Sequence, residues 1–132
     1  MAIYVHRRFD KSFKNSGLTD ADLCAVAAQV MRGEFEADLG GGVIKKRMAL
    51  NAGKSGGVRT IVFFKKNNNL FFYDGWSKGG FNKKGAKEIE DDQLYTYKLL
   101  AKGYLKADSN AMDVLKQSGT FREVSCDEKT AG

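Results

Sequence analysis

The side chains most able to do chemistry in this sequence are cationic, and they are concentrated in one segment. Residues 43–87 contain eleven Lys or Arg and a single acid, Asp74, so the segment has a net charge of +10. The rest of the chain carries −4, which makes the total +6. A concentrated field of one sign attracts a polyanion and speeds its capture, so we expect nucleic acid or another polyanion as a partner, the alternative being a solvated surface.

Other sets of catalytic residues are missing from the sequence. The single histidine, His6, stands beside two arginines, and we interpret it as a surface or sheet-edge residue. One histidine without a second ligand at metal spacing predicts no metal site, and no cofactor motif is present. Gly53-Lys54-Ser55 resembles the end of a phosphate-binding loop, but Met48 stands where that loop requires glycine. We therefore do not expect a nucleotide hydrolase.

What remains is a set of cations on predicted strands and at their ends. In the run Lys45-Lys46-Arg47, strand alternation places Lys45 and Arg47 on one face and Lys46 on the other. The loop and strands that follow contribute Lys54, Arg59 and Lys78. Antiparallel pairing can bring such groups together near strand ends, where catalytic side chains often lie on a rigid scaffold.

A cationic patch of this kind can break RNA without a metal ion. The 2′-hydroxyl attacks the neighbouring phosphate, which requires a base, cations for the dianionic transition state and an acid for the leaving oxygen. Clustered cations lower the pKa of a lysine, so one lysine can act as the base, whereas arginine stays charged and suits the phosphate oxygens. The alternative for each lysine taken singly is ordinary surface charge.

The apolar patterns predict the elements that position these residues. Strands are predicted at 3–5, 43–50, 58–64 and 70–76, with a strand or an extended tail at 121–124. Helical segments are predicted at 7–15, from a capping box at Thr19 and Asp22 to Gly33, from about 88 to 105, and at 109–118 with Ser109 as cap and Val114 and Leu115 inward. The consecutive strands 58–64 and 70–76 are predicted to form an antiparallel hairpin. Both strands are apolar on both faces, which predicts a sheet covered on at least part of each side.

Length and composition indicate one domain over residues 1–124, followed by a disordered tail at 125–132. No run approaches the length of a membrane span, and the N-terminus lacks the pattern of a secretion signal. We therefore expect a cytoplasmic protein without membrane contact. Cys24 is interpreted as a buried thiol, and no role is expected for Cys126.

Three stretches of this sequence resemble one branch of the RelE/HigB toxins, within the RelE/ParE superfamily. They are Ala37-Asp38-Leu39-Gly40-Gly41-Gly42-Val43-Ile44-Lys45-Lys46-Arg47, then Gly53-Lys54-Ser55-Gly56-Gly57-Val58-Arg59-Thr60, and Leu70-Phe71-Phe72-Tyr73-Asp74-Gly75-Trp76-Ser77-Lys78. The second stretch is the most specific. The resemblance covers roughly residues 1–124.

The resemblance implies an α+β fold in which N-terminal helices pack on an antiparallel sheet and C-terminal helices follow. It implies a toxin that is inhibited by an antitoxin, often with a helix-turn-helix domain, and that cleaves messenger RNA on the ribosome. Lys54, Arg59 and Lys78 match the family's catalytic positions, and Lys45 and Arg47 match basic positions upstream. No metal or other cofactor is implied.

The loop after Lys78 departs from the family, because relatives have an arginine next and a tyrosine or histidine acid further on. Here Lys83 or Lys84 replaces that arginine in our interpretation, and Phe81 is positioned to stack on a base. Together with Lys45, Lys46 and Arg47, these residues form the expected RNA-binding set. Two alternatives stay open: a binding module of this fold without catalysis, and a toxin directed at DNA gyrase, as in the ParE branch.

Overall fold

A computed structural model of the chain describes residues 2–49, 57–77 and 89–126. Those ranges form an α+β arrangement of six strands and four helices. In chain order they are β1 (Ile3–His6), α1 (Arg7–Ser12), α2 (Asp20–Met31), β2 (Ala37–Gly40), β3 (Val43–Met48), β4 (Val58–Phe63), β5 (Leu70–Ser77), α3 (Asp91–Leu105), α4 (Ser109–Gln117) and β6 (Phe121–Val124). Every predicted element is present, and β6 resolves the open choice at 121–124 in favour of a strand. β2 was not predicted, because it has only four residues and two of them, Asp38 and Gly40, are types that are depleted in strands.

The strands form one sheet in the order β2-β3-β4-β5-β1-β6. β2 to β5 make an antiparallel meander that includes the predicted β4–β5 hairpin. β6 is antiparallel to β1, but β1 is parallel to β5. The predicted antiparallel sheet therefore contains one parallel pair, which joins distant parts of the chain and leaves no local sequence signal.

Helices cover both faces of the sheet, as the apolar pattern of β4 and β5 predicted. All six residues of β4 are buried. α1 and α2 pack on one side, where Val26 contributes to a core with Val62. α3 and α4 pack on the other side, where Tyr97 contributes to a second core with Phe63. We name these sides the α1–α2 face and the α3–α4 face.

The start of α2 has the predicted capping box. The Thr19 hydroxyl accepts from the backbone N–H of Asp22, and the Asp22 carboxylate accepts from the backbone N–H of Thr19. The helix ends at Met31, and Gly33 follows with φ of +84°, a conformation that glycine adopts without strain.

α4 differs from the prediction in its cap and in its buried face. Asp108, not Ser109, is the N-cap, because its carboxylate accepts from a backbone N–H of the first turn. Val114 was expected to point inward but is 63% exposed, whereas Met112 is buried. The short helix packs on the core through Met112 and Leu115, and this orientation turns Val114 toward solvent.

The two cysteines also differ from the prediction. A disulfide bond joins Cys24 in α2 to Cys126, which follows β6. The interpretation of Cys24 as a free thiol and of Cys126 as without role is therefore wrong. The pairing spans 102 residues of sequence, so only the folded chain brings the two side chains together. Most of the predicted tail, residues 127–132, lies outside the described residues.

The helices found within the described ranges are too short or too polar to cross a membrane.

Gly75 in β5 lets α1 approach the sheet closely. A Cβ at this position would lie 2.5 Å from two ring carbons of Phe13 and 3.0 Å from the carbonyl oxygen of Arg59. Both contacts are shorter than van der Waals separation, so the ring or the strand would have to move. The absence of a side chain at Gly75 is therefore a packing requirement.

We expect Gly75→Ala to lower the free energy of unfolding by about 1–3 kcal/mol, the usual cost of overpacking a core. Gly103→Ala is a matched control, because a Cβ at Gly103 in α3 meets nothing within 4 Å. Alanine in a helix interior is favoured over glycine by roughly 1 kcal/mol, so the control should gain stability. Urea unfolding of both variants tests this pair, and equal effects would contradict it.

Candidate functional site

Two arginines face each other across the β3–β4 pair. Arg47 in β3 is the register partner of Arg59 in β4. Lys45, two residues before Arg47, pairs with Ile61. Directly paired residues point to the same face, and Ile61 belongs to the core on the α3–α4 face. Lys45, Arg47 and Arg59 therefore share that face, and we call these three residues the cationic patch.

Exposure differs within the cationic patch. Arg47 is exposed and Lys45 is half-buried, whereas Arg59 is only 6% exposed. Arg59 also pairs with the half-buried Trp76 of β5. Arg47 and Lys45 can meet a polyanion directly. Arg59 contributes the field of a charge in a low-dielectric environment, where electrostatic interactions are stronger than in water.

Lys46 lies on the opposite side of β3, as strand alternation predicted. Its side chain is 8% exposed on the α1–α2 face, so the structure does not bring it together with Lys45 and Arg47. The Thr60 hydroxyl donates a 2.7 Å hydrogen bond to the Lys46 carbonyl and ties β3 to β4 on that face. Of the expected RNA-binding run, two residues thus belong to the patch and one does not.

The other predicted site residues lie outside the described residues; they are Lys54, Lys78, Phe81, Lys83 and Lys84. The strand ends that flank their segments are described. Val58, the first residue of β4, pairs with Met48 at the end of β3 and with Ser77 at the end of β5. The segments 50–56 and 78–88 therefore both begin beside the same end of the sheet as the cationic patch.

The structure explains why a glycine stands at position 57 of the Gly-Lys-Ser-Gly-Gly-Val-Arg-Thr stretch. Its φ is +54°, and a Cβ would lie 2.3 Å from the carbonyl oxygen of Met48. A side chain cannot fit between the two strands at that point. The glycine is needed for the chain to enter β4 directly beside the end of β3, which sets the start of the strand that carries Arg59.

Asp74, the only acid of the basic segment, is the centre of a buried polar network that sequence analysis missed. Its carboxylate is 2.6 Å from the Tyr97 hydroxyl, which donates to Oδ2, and 3.1 Å from Arg8 Nε. The backbone N–H of Gly75 donates to Oδ1 at 2.8 Å. Asp74 pairs with Ile61, so the network lies on the α3–α4 face beside the cationic patch.

The network keeps Tyr97 protonated and Arg8 charged. Burial raises the pKa of Tyr97, and the hydrogen bond to Asp74 raises it further, because ionised tyrosine would face the carboxylate. The hydrogen bond to Asp74 also raises the pKa of Arg8. The one signal in the sequence was the isolation of Asp74 among eleven cations. Nothing in the sequence indicated its partners, which come from α1 and α3.

His6 borders this network instead of lying on the surface or at a sheet edge. β1 runs between β5 and β6, and the imidazole ring lies 4.7 Å from the Tyr73 ring and 4.9 Å from the Phe121 ring, centroid to centroid. His6 Nδ1 accepts from the backbone N–H of Arg8 and caps α1. The interpretation from sequence is therefore wrong, because His6 joins an aromatic cluster on the α3–α4 face.

The described residues contain no group of three His, Cys, Asp or Glu side chains placed to hold a metal ion.

The mixed sheet, the helices on both faces and the cations at one end of β3 and β4 agree with the fold that the sequence resemblance implied. The family model for the RelE toxin of the RelE/RelB toxin–antitoxin system matches residues 1–124. This chain belongs to the RelE toxin family. No curated protein matches it.

Membership makes the chain the toxin component of a toxin–antitoxin system and implies an antitoxin partner. The matched range includes the described cationic patch and both internal segments outside the described residues. Lys54 and Lys78 are thus part of the region that relates this RelE toxin to its family. The resemblance found in the sequence is confirmed at the level of the family.

The pKa of His6 should lie below its ordinary value of 6.5, because burial, and then Arg7 and Arg8, disfavour the imidazolium. The unfolded chain then takes up this proton at higher pH than the folded chain does. The stability that neutral His6 provides is complete above about pH 6.5 and is lost as the pH falls below that value.

As His6 is the one histidine of the chain, an NMR titration of its ring protons measures this pKa directly. Thermal unfolding between pH 7 and pH 5 measures the consequence for stability. His6→Asn, whose side chain can still cap α1, should flatten that part of the profile. An imidazole pKa at or above 6.5 would contradict the prediction.

Tyr97→Phe should lower the free energy of unfolding by about 1–3 kcal/mol, because a buried carboxylate oxygen of Asp74 loses its donor. Tyr95→Phe is the matched control, since Tyr95 is 65% exposed on the same helix. The control should change stability by less than about 0.5 kcal/mol. Denaturant unfolding compares the two, and a Tyr97→Phe protein as stable as the control would show that the hydrogen bond contributes little.

Proposed function

We propose that this RelE toxin is a metal-independent endoribonuclease that cleaves messenger RNA on the ribosome and so inhibits translation. The action takes place in the cytoplasm, and the antitoxin suppresses it. The 2′-hydroxyl oxygen attacks the adjacent phosphorus, and the bond from phosphorus to the 5′ oxygen breaks. The products are a 2′,3′-cyclic phosphate and a 5′-hydroxyl end.

The observation that carries this proposal is the pairing of Arg47 with Arg59 on one face of the sheet. The exposed Arg47 and the half-buried Lys45 form a cationic surface along β3, and the buried Arg59 adds its positive field from the neighbouring strand. Arginine cannot give up its proton at neutral pH, so this surface is suited to holding phosphate oxygens and to stabilising the dianionic transition state.

Proton transfer is assigned to lysines of the two segments that begin beside Val58. In this proposal Lys54 takes the proton of the 2′-hydroxyl, since a concentration of positive charge favours the neutral form of a lysine. Lys78 stabilises the developing charge, and Lys83, Lys84 and Phe81 hold the RNA on either side of the cleaved bond. The acid that protonates the 5′ oxygen is not assigned.

The charge balance around Asp74 favours binding of an anion on this face. An unpaired carboxylate beside the cationic patch would repel phosphate and cancel part of its field. Asp74 instead meets the Arg8 guanidinium and the Tyr97 hydroxyl. Arg8 offsets the negative charge of Asp74, so this carboxylate does not act as an unpaired anion beside the patch.

Cleavage should fall by a factor of about 100 or more in Lys54→Ala, the scale that a general base contributes to a reaction. Arg47→Ala should weaken RNA binding, because an exposed phosphate ligand is lost. Lys66→Ala is the matched control: Lys66 is an exposed lysine of the β4–β5 turn, at the other end of the sheet. Its activity should stay within about twofold of the parent, since a remote surface charge is largely screened.

The measurement is mapping of message ends after a short pulse of expression, followed by cleavage of defined RNA on purified ribosomes. Cyclic phosphate ends that persist in EDTA support the proposal, and circular dichroism checks that each variant is folded. Intact messages during growth arrest would overturn it in favour of binding alone. DNA breaks with intact messages would overturn it in favour of a gyrase-directed toxin.

A further inference from the structure

The outer surface of α3 and α4 carries exposed apolar side chains. Among the described residues four large hydrophobic side chains are exposed, and three of them lie here: Tyr95 (65%), Leu99 (54%) and Val114 (63%). Single exposed apolar residues are ordinary, but a group of them on one surface marks an interaction site. This surface is the largest unexplained feature outside the cationic patch.

A groove of about 570 Å³ runs along α3 and combines this apolar surface with positive charge. Tyr95 and Leu99 line it together with four lysines, namely Lys65, Lys98, Lys102 and Lys106. No acid of the described residues lines it, and the sequence from Gln93 to Ala107 contains no acid. We call this feature the α3 groove.

The lysines of α3 are regularly spaced. Lys98, Lys102 and Lys106 are four residues apart, so they lie along one side of the helix at steps of about 6 Å. The Lys98 stem passes over the β2–β3 turn, where its Cγ would be 3.3 Å from a Cβ at Gly41. A second helix with acids at the same spacing would match the three charges, while its apolar side met Leu99.

We propose that the α3 groove binds an acidic, amphipathic helical segment of the antitoxin. Membership of the RelE toxin family implies an antitoxin partner. The inference rests on that membership and not on the ribonuclease proposal. A helix laid in a groove is recognised by apolar anchors at helical spacing together with complementary charge. RNA fits this groove less well, because an exposed leucine offers nothing to a phosphate.

The α3 groove is separate from the cationic patch. It is bordered by Gly41 of the β2–β3 turn and by Asn68 of the β4–β5 turn, at the end of the sheet opposite Val58. β4 alone spans six residues, or about 17 Å of extended chain. The groove thus lies away from the end of the sheet where Arg47 and Arg59 pair, and the groove residues can be changed without changing the residues of the patch.

The double variant Lys98→Glu, Lys102→Glu tests the charge, and Leu99→Ser tests the apolar anchor. The probe is the full-length antitoxin encoded with the toxin, titrated by calorimetry against the full-length toxin at two salt concentrations. We expect each variant to raise the Kd at least about tenfold, because a reversed charge pair or a lost anchor costs more than 1.4 kcal/mol. The Kd should depend less on salt concentration in the double variant than in the parent, whereas Leu99→Ser should keep the parent's salt dependence.

The matched control is Lys11→Glu, Lys14→Glu, the same change at two exposed lysines near α1. Its Kd for antitoxin should stay within about twofold of the parent. Parental antitoxin affinity in all groove variants would overturn the inference. Loss of binding to a defined RNA with antitoxin affinity intact would instead make the groove a nucleic-acid surface, and a Leu99-dependent dimer of the free toxin would make it a self-association site.

Discussion

Strand β4 is hydrogen-bonded to β3 on one side and to β5 on the other, and this double pairing determines the face to which each cation of β3 and β4 points. Side chains alternate with a period of two residues, so a slip of one residue would exchange the two faces. Arg59 would then enter the core packed under α1 and α2. Because Val58 and Val62 belong to that core, the slip would also remove their side chains from it, and the register is strongly specified.

Close backbone approach maintains this register at the end where the cations gather. Gly57 and Gly75 each stand where a Cβ would collide, in one case with the Met48 carbonyl and in the other with Phe13. Their lack of a side chain lets neighbouring strands and α1 reach contact distance. The position of Arg59 between them is a consequence of backbone packing as much as of its own interactions.

Charge on the α3–α4 face is organised in two regions. Near the patch, Asp74 is offset by Arg8 and shielded by Tyr97, so the positive field there is not cancelled. At the far end, the lysines of α3 stand beside exposed leucine and tyrosine. In our proposals one region meets a phosphate backbone and the other an acidic segment of the antitoxin, so the proposed cleavage and its inhibition use different surfaces.

The sequence was sufficient to predict the strands around the basic segment, the capping box of α2 and the alternation of Lys45, Lys46 and Arg47. These features depend on local periodicity and on short-range hydrogen bonds, which neighbouring residues specify. The resemblance to RelE toxins, carried by short motifs, was also confirmed. The catalytic assignment of Lys54 and Lys78 stays a prediction, since both lie outside the described residues.

The tertiary structure alone decided which distant groups meet. The parallel β1–β5 pair, the Cys24–Cys126 bond and the contacts of Asp74 with Arg8 and Tyr97 each join segments far apart in the chain. The exposure of Val114 depends on how α4 rotates against the core. Such contacts follow from the global packing of elements, and no local pattern encodes them. The sequence by itself therefore determined the elements and the excess of positive charge, and the fold decided which of those charges face a common surface.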